Sequence, residues 1–343
     1  MKLVPAIAVP YSQTLRTGLT NDAKIFGLRF ALLLVGVTAA GAPVAAIAYE
    51  TDQFTNRDTP IADSTELLNN RVNETIQGIA ADWQKGHDEM AFVDAIYHEI
   101  GGHHWVDKLE RWAVKSDQVE KLDTPRYDSV FSGLPWYALR VTTFFGVGKT
   151  FRLNEQLIGS DKLGHFLSQG RKYYRRFRRT DSELQAAERS AYTERAIFGS
   201  FTTGSYSNAD LVANYEGHRF YRSLFEDDIV PGKPAILRWE DGGWIIQREY
   251  DWGDHVNAYW DEALNINHFN PTLYKHMRKR LVSLCPRYWE RPDLYSIENE
   301  AALREKYAHL GMEDTSELRL DSLCPVQRAL TAEKSLPGVQ ASP

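Results

Sequence analysis

The sequence predicts a mainly α-helical protein, with a single helical domain and one or two short β-hairpins. In several stretches apolar residues recur with a period of 3.6, as on the buried face of a helix. Two short runs rich in β-branched and aromatic residues are each divided by turn-forming residues. No internal repeat is visible, which argues against a solenoid. With 43% hydrophobic and 12% aromatic residues among 343, the chain can bury a sizeable core.

The N-terminal part predicts export. Lys24 and Arg29 precede an apolar run over residues 30–48, which ends in an A-x-A tripeptide at Ala48. A basic segment, an apolar stretch and such a tripeptide are together typical of a secretory signal peptide. We therefore expect residues 1–48 to be removed and the mature protein to be periplasmic or envelope-associated. The run is also about long enough to cross a bilayer, so an uncleaved N-terminal anchor is the alternative.

Removal of the expected signal peptide would make the chain more acidic and leave one domain with a short tail. Removal of residues 1–48 would change the formal net charge from −6 to −9, which argues against nucleic acid as a partner. Residues 49–330 are expected to form a single mainly helical domain. Residues 331–343 are expected to form a disordered tail.

The two cysteines predict a disulfide. Cys285 and Cys324 are the only cysteines in the chain, and in an oxidising compartment such a pair is typical of one structural bond. On the chain-entropy account, a bond closing a loop of about 40 residues stabilises the fold by about 3–4 kcal/mol. Two free buried thiols are the alternative.

The apolar periods and their breaks define the elements in order. Asp63 and Glu66 predict a capping box before a helix that runs to Trp83, and a second helix begins near Asp88 and is interrupted at Gly101. The remaining predicted elements are a hairpin at 149–158, helices at 160–179, 181–199 and 207–225, a hairpin at 235–248, and helices at 254–264, 271–284 and 297–310.

The first candidate motif lies at the start of the 160–179 helix. Asp161 and His165 are four residues apart, so they share a face of a helix that Ser160 is placed to cap. Lys172 and Arg176 follow on the same face. A carboxylate that orients an imidazole, with cations further along, suits acid/base chemistry on an anionic substrate. The alternative is an acid favoured by the helix dipole and an ordinary core histidine.

Glu194 is the second candidate. It falls on the apolar stripe of its predicted helix, one turn after Ala191 and one turn before Phe198. Burying an unpaired carboxylate is costly, so a glutamate there is expected to be paired, metal-bound or protonated.

The third motif opens the 207–225 helix. Ser207 is placed as the N-cap with Asp210 three residues later, and Asn214 and Gly217 continue the face that Asp210 begins. Gly217 allows another backbone or a substrate to approach closely. Capping alone would account for Asp210, but it does not explain the asparagine one turn above it.

In this order the three motifs resemble those of the VanZ-like membrane proteins, which are associated with teicoplanin resistance, and of the small YfiM-like envelope lipoproteins. The resemblance covers about residues 160–217, and it implies a role in the cell envelope without naming a reaction. VanZ-like proteins place the motif on transmembrane helices, whereas residues 171–179 here are too charged to span a bilayer. The matching residues are Asp161, Lys162, His165, Phe166, Glu194, Ser207, Asp210, Leu211, Ala213, Asn214 and Gly217.

A cationic run follows the first motif. Residues 171–179 hold six basic and three aromatic side chains. This composition suits anionic lipid headgroups, a membrane surface or a phosphorylated glycan carrier. The alternative is a solvated helical face that pairs with acidic groups elsewhere in the chain.

These observations lead to one functional hypothesis with open alternatives. We expect a hydrolase acting on an anionic lipid or glycan of the envelope. A divalent metal held by the same side chains would be a variant of this chemistry. The competing interpretation is a non-catalytic envelope module whose polar residues form a buried network that ties three helices together. The expected catalytic residues are Asp161, His165, Glu194 and Asp210, and the expected substrate-binding residues are Lys162, Lys172, Arg176 and Asn214.

Overall fold

The structure, a computed structural model, describes residues 50–103, 106–135, 146–195 and 204–324. In this part of the chain the fold is mainly α-helical with short two-stranded antiparallel sheets, as the sequence predicts. The expected signal peptide and the expected tail lie outside the described residues. Within the described ranges, no helix is both long and apolar enough to cross a membrane.

The helices range from short turns to seventeen residues. A π-helical segment, His165–Gln169, joins two of them without a break. In chain order they are α1 (Thr65–Ala81), α2 (Glu89–Ile100), α3 (Lys108–Lys115), α4 (Asp161–Gly164), α5 (Gly170–Thr180), α6 (Glu183–Thr193), α7 (Asn208–Ser223), α8 (Pro271–Val282), α9 (Cys285–Glu290), α10 (Glu300–Lys306) and α11 (Leu320–Leu323).

Each described strand pairs with one partner in antiparallel fashion. Both predicted hairpins are confirmed, and their turn residues, Asn154-Glu155 and Asp241-Gly242, all have the positive φ that tight hairpin turns require. The pairs are β1 (Gly102–His103) with β2 (Val106–Asp107), β3 (Thr150–Leu153) with β4 (Gln156–Gly159), β5 (Ser205–Tyr206) with β8 (His268–Phe269), and β6 (Leu237–Glu240) with β7 (Gly243–Ile246).

One predicted helix is wrong. The stretch expected as a helix at 254–264 forms two separate 3₁₀ turns, Trp252–Asp254 and Ala258–Trp260. The side chains of Asp251 and Asn257 each accept a backbone N–H two residues on, so each residue begins a new turn instead of continuing a helix. The chain here is therefore irregular, and it carries Glu262 into the interior.

Other predicted boundaries need adjustment. The helix expected at 297–310 is limited to α10, followed by a 3₁₀ turn at Ala308–Leu310, because Tyr307 leaves the helical conformation. The helix expected at 181–199 is described as α6, and its predicted end falls outside the described residues.

The continuous segment from α4 through α5 packs along α7, and the two backbones meet at a pair of glycines. A Cβ atom on Gly217 would lie 1.9 Å from the carbonyl oxygen of Phe166, and one on Gly170 would lie 2.6 Å from Gly217 Cα. No real Cβ tolerates such distances, so the expectation that Gly217 permits close backbone approach is confirmed. This crossing fixes the two segments that carry most of the candidate site.

Two hydrophobic cores fill the described residues. The larger core lies between α1, α2, the α4–α5 segment and α7. The smaller core combines Phe54 and residues near Phe131 with α8 and the C-terminal turns. The predicted disulfide between Cys285 and Cys324 is confirmed within this smaller core, where it joins α9 to the end of α11.

Candidate functional site

Predicted site residues from separate helices meet in the interior around Lys162. Its Nζ lies 2.7 Å from Asp161 Oδ2, 2.6 Å from Asp210 Oδ1 and 2.7 Å from Glu262 Oε1. A lysine ammonium has three N–H donors, so each is used. Burial lowers the pKa of Lys162, but the three carboxylates outweigh this effect and hold the pKa well above its usual value. The ammonium is therefore charged, and it balances one of the three carboxylates.

The imidazole of His165 lies between two polar partners. Its Nδ1 is 3.0 Å from Asn214 Oδ1, and its Nε2 is 3.2 Å from Asp210 Oδ2. The amide nitrogen of Asn214 donates to Ser190 and Glu194, so its oxygen faces the ring and assigns the proton to Nδ1. Burial lowers the pKa of His165, but Asp210 and Glu194 outweigh burial and raise it above the usual value.

Asp161 was predicted to orient His165, but its hydrogen bond is to Lys162. The ring nitrogens lie against Asn214 and Asp210, whereas Asp161 Oδ2 accepts a hydrogen bond from Lys162. The other oxygen, Asp161 Oδ1, is buried, and no described residue forms a hydrogen bond with it.

The predicted cap before Asp161 is also absent. Ser160 already has helical backbone angles, and its side chain makes no capping hydrogen bond. A residue at the N-cap needs non-helical angles to turn its side chain toward the free N–H groups.

Glu194 follows the last residue of α6 and is fully buried, at 2% exposure. Its Oε1 accepts a hydrogen bond of 3.0 Å from Asn214 Nδ2 and lies 3.6 Å from His165 Nδ1. Burial raises its pKa to about 7, although His165 acts in the opposite direction. The group therefore exchanges a proton near neutral pH.

The start of α7 positions Asp210. Ser207 caps the helix as predicted, because its Oγ accepts the backbone N–H of Asp210 at 3.1 Å. The same hydroxyl donates to Glu262 Oε1 at 3.0 Å. One serine thus connects the helix start to the irregular segment after the second 3₁₀ turn.

Four acidic groups near this site are absent from the predicted site residues. Burial raises the pKa of Glu110 well above its usual value, and Asp161 adds to the effect. Burial likewise raises the pKa of Asp107 to about 7 and that of Glu50 to about 8, with Glu262 as the next contributor for Glu50. Glu262 is the fourth. A run of polar residues around 254–262 was a visible signal for Glu262, but no spacing pattern marks the other three.

The four predicted substrate-binding residues fall into two groups. Lys162 is enclosed by carboxylates, and the side chain of Asn214 is occupied by Ser190, Glu194 and His165.

Lys172 and Arg176 instead lie on α5, exposed and half-buried respectively. Burial and the charge of Arg176 lower the pKa of Lys172 below its usual value. The charges of Asp107 and Glu194 offset this effect only in part. Lys172 lies two turns after His165 on the same continuous helical segment. Within the same run, Arg171 and Arg178 form ion pairs with Asp94 and Glu89.

Residual exposure is greatest on one side of the site. The side chains of Lys162, Glu194 and Glu262 are 1%, 2% and 6% exposed. Those of Asp161, His165 and Asp210 are 9%, 9% and 12% exposed. All six side chains are thus at least 88% buried, and Asp161, His165 and Asp210 are the most exposed of the six.

A second buried polar group lies deeper on α7. Glu216 is fully buried, with Lys306 Nζ at 2.6 Å, the Tyr307 hydroxyl at 2.8 Å and His255 Nδ1 at 3.1 Å. Burial raises its pKa, but the hydrogen bond from His255 and the charge of Lys306 outweigh burial and hold the pKa at about 2. These contacts use both carboxylate oxygens of Glu216, as expected for a structural ion pair.

Comparison of the chain with family models, with curated proteins and with solved structures gives no match. The resemblance of residues 160–217 to VanZ-like and YfiM-like proteins therefore stays a prediction from the spacing of the three motifs.

Proposed function

We propose that the protein is an exported hydrolase that acts on an anionic lipid or glycan of the cell envelope. The observation that carries the proposal is the placement of the His165 imidazole between Asp210 on one side and the Asn214–Glu194 pair on the other. A histidine with carboxylates on both sides is arranged to take and return protons during hydrolysis.

His165 is the central acid/base group in this proposal. Its raised pKa keeps a proton available near neutral pH, and its Nε2 lies 3.2 Å from Asp210 Oδ2. Glu194, with a pKa of about 7, supplies a second group that exchanges protons in the same range. Groups with pKa values near the working pH are the most effective acid/base catalysts.

Two residues expected to bind substrate take positioning roles instead. Lys162 holds Asp161 and Asp210 in place through charged hydrogen bonds, and Asn214 sets the orientation of the His165 ring. Lys172 and Arg176 remain the residues proposed to contact an anionic substrate, because they extend from the site along α5 toward solvent. Localised negative charge on a lipid headgroup or phosphorylated glycan would complement them.

Export is part of the proposal. The basic and apolar N-terminal segment and the disulfide between Cys285 and Cys324 both support an oxidising compartment outside the cytoplasm. The formal charge of −9 expected after removal of residues 1–48 favours a lipid or glycan over nucleic acid.

The competing candidate is a non-catalytic module whose polar residues form a buried network. One observation favours it: each of the four proposed catalytic side chains is at least 88% buried. In that case the same contacts would serve only to join α4, α6 and α7.

The test compares the purified mature protein with its His165→Gln variant. Each is incubated with envelope lipid extract and with envelope glycan, and products are quantified by mass spectrometry. We expect the native protein to release hydrolysis products and the variant to lose at least a hundredfold in rate, while its melting temperature changes little. Equal products from both proteins, or none from the native protein on either substrate class, would support the network instead.

A further inference from the structure

Three buried side chains of the site have the arrangement of a metal-ligand set. One donor atom from each of Asp161, His165 and Asp210 can be chosen so that all three lie within 4.8 Å of one another. Two ligands on one ion at about 2.1 Å are at most about 4.2 Å apart. A small contraction would therefore bring all three donors onto one ion.

We propose that Asp161, His165 and Asp210 form a binding site for a divalent metal ion. This inference deepens the proposed hydrolase and rests on the same site, but metal binding is measured independently of any reaction.

The free oxygen of Asp161 is the first argument. Among the residues that the structure describes, buried Oδ1 has no hydrogen-bond partner, and the Asp161 side chain is only 9% exposed. A buried carboxylate oxygen without a partner costs free energy, so its presence in a folded protein needs an explanation. A cation bound to this oxygen removes that cost.

The tautomer of His165 is the second argument. Asn214 Oδ1 accepts from Nδ1, because its amide nitrogen is committed to Ser190 and Glu194. When the ring is neutral, its lone pair is therefore on Nε2, which lies 3.2 Å from Asp210 Oδ2. Histidine ligands in metal sites are oriented in this way, with the second ring nitrogen hydrogen-bonded to a fixed acceptor.

The position of Lys162 supports the same site. It binds Asp161 through Oδ2 and Asp210 through Oδ1, which leaves Asp210 Oδ2 facing the His165 ring at 3.2 Å and Asp161 Oδ1 outside the contact with the ammonium. With Glu262 as the third contact of the ammonium, three carboxylates face one lysine. A divalent cation would add positive charge to this acidic cluster.

The donor set indicates which ions fit. Two carboxylate oxygens and one imidazole nitrogen suit Mn²⁺ or Zn²⁺, whereas Ca²⁺ prefers six to eight oxygen ligands. Three protein ligands leave coordination positions for water. A bound ion there would lower the pKa of its water, which is the chemistry that the proposed hydrolase needs.

The experiment measures binding of Mn²⁺ and Zn²⁺ to the chelator-treated mature protein by equilibrium dialysis and thermal melting. We expect one ion per chain and a melting temperature raised by about 5–8 °C at a hundredfold excess over Kd. Asp161→Asn keeps the shape of the side chain but removes the ligand charge, and we expect it to weaken binding at least a hundredfold.

Glu194→Gln is the matched control, because it removes a buried carboxylate on the other side of the His165 ring. We expect it to bind the ion within tenfold of the native affinity. Absence of stoichiometric binding to the native protein, or equal loss in both variants, would overturn the metal site. Binding lost in Asp161→Asn, in a protein that melts normally in chelator, would support it. Hydrolysis that persists in chelator would overturn a catalytic metal while leaving the proposed hydrolase intact.

Discussion

At the scale of single residues, the site depends on Lys162, which the sequence predicts to bind substrate. The motif Asp161-Lys162-x-x-His165 shows two charged residues side by side, and nothing in that spacing says where the ammonium points. In the folded chain it lies 1% exposed among three carboxylates, one of them from Glu262, a hundred residues away. Contacts of this sequence separation are set by tertiary packing, so the local pattern could not reveal them.

Lys162→Met is predicted to destabilise the protein strongly. The substitution keeps the length of the side chain but leaves three carboxylates without their cation. Removing one partner of a buried ion pair costs about 3–5 kcal/mol. Urea unfolding measures the loss.

Lys172→Met, at an exposed position on α5, is the control. It should change the free energy of unfolding by less than about 0.5 kcal/mol. Adding Glu262→Gln to Lys162→Met should restore part of the loss, because one buried charge is removed. A double variant no more stable than the single one would contradict the assigned role of Lys162.

The sequence nevertheless predicts which residues meet. Asp161, His165, Glu194 and Asp210 were expected to form one site from their helical faces and from one acid on an apolar stripe, and the structure brings them together. Periodicity identifies a face, but it does not identify the partner of each atom. The assignment of the His165 contact to Asp161 instead of Asp210 was wrong for this reason.

At the scale of elements, the crossing of the α4–α5 segment with α7 organises the site. Gly217 faces the carbonyl of Phe166 in the π-helical segment, and Tyr221 one turn on donates to the carbonyl of Leu167. In a π-helical turn the backbone hydrogen bonds join residues five apart instead of four. This change of pattern leaves carbonyls available for such contacts. Sequence periodicity predicted a helix here, but it gives no sign of the π-helical turn.

Gly217→Ala is predicted to disrupt this crossing. The added methyl group would lie 1.9 Å from a backbone oxygen, so the helices must separate. We expect a loss of about 3 kcal/mol or more in the free energy of unfolding, or failure to fold.

Gly78→Ala on α1 is the matched control. A Cβ there meets nothing within 4 Å, and the position is exposed. It should stabilise the protein by about 0.5–1 kcal/mol, since alanine is the better helix former. Thermal or urea unfolding of the two variants gives the comparison. Equal stability of the two would show that the backbones do not meet as described.

At the scale of the whole molecule, parts that are distant in sequence are joined by buried polar groups as well as by the two cores. Glu216 connects α7 to the 3₁₀ segment through His255 and to α10 through Lys306. Mainly helical architecture, both hairpins and the disulfide could be predicted from sequence because each depends on local pattern or on residue count. The irregular course of residues 252–264 could not, because short capping side chains there override the apolar period.

Acid stability is predicted to depend on Glu216. Its folded pKa of about 2 lies below the usual 4.5, so it contributes stability that is present above about pH 4.5 and is lost as the pH falls toward 2. The contribution is about 3 kcal/mol at neutral pH.

Glu216→Gln should therefore reduce the free energy of unfolding at pH 7, and the difference from the native protein should shrink between pH 4.5 and 2.5. Glu305→Gln, an exposed change on α10, should show no such difference at any pH. A constant gap between native and Glu216→Gln across this range would contradict the ionised state of Glu216.

The glycine crossing has a consequence for how the site can open. Asp161 and His165 lie on one side of it and Asp210 and Asn214 on the other, within two turns of the contact, so these four side chains belong to a single rigid body. Glu262 lies on a short segment outside the crossing and is held to it by Ser207 and Lys162. Opening the site on the side of Glu262 would therefore break two buried hydrogen bonds, one of them donated by the Lys162 ammonium.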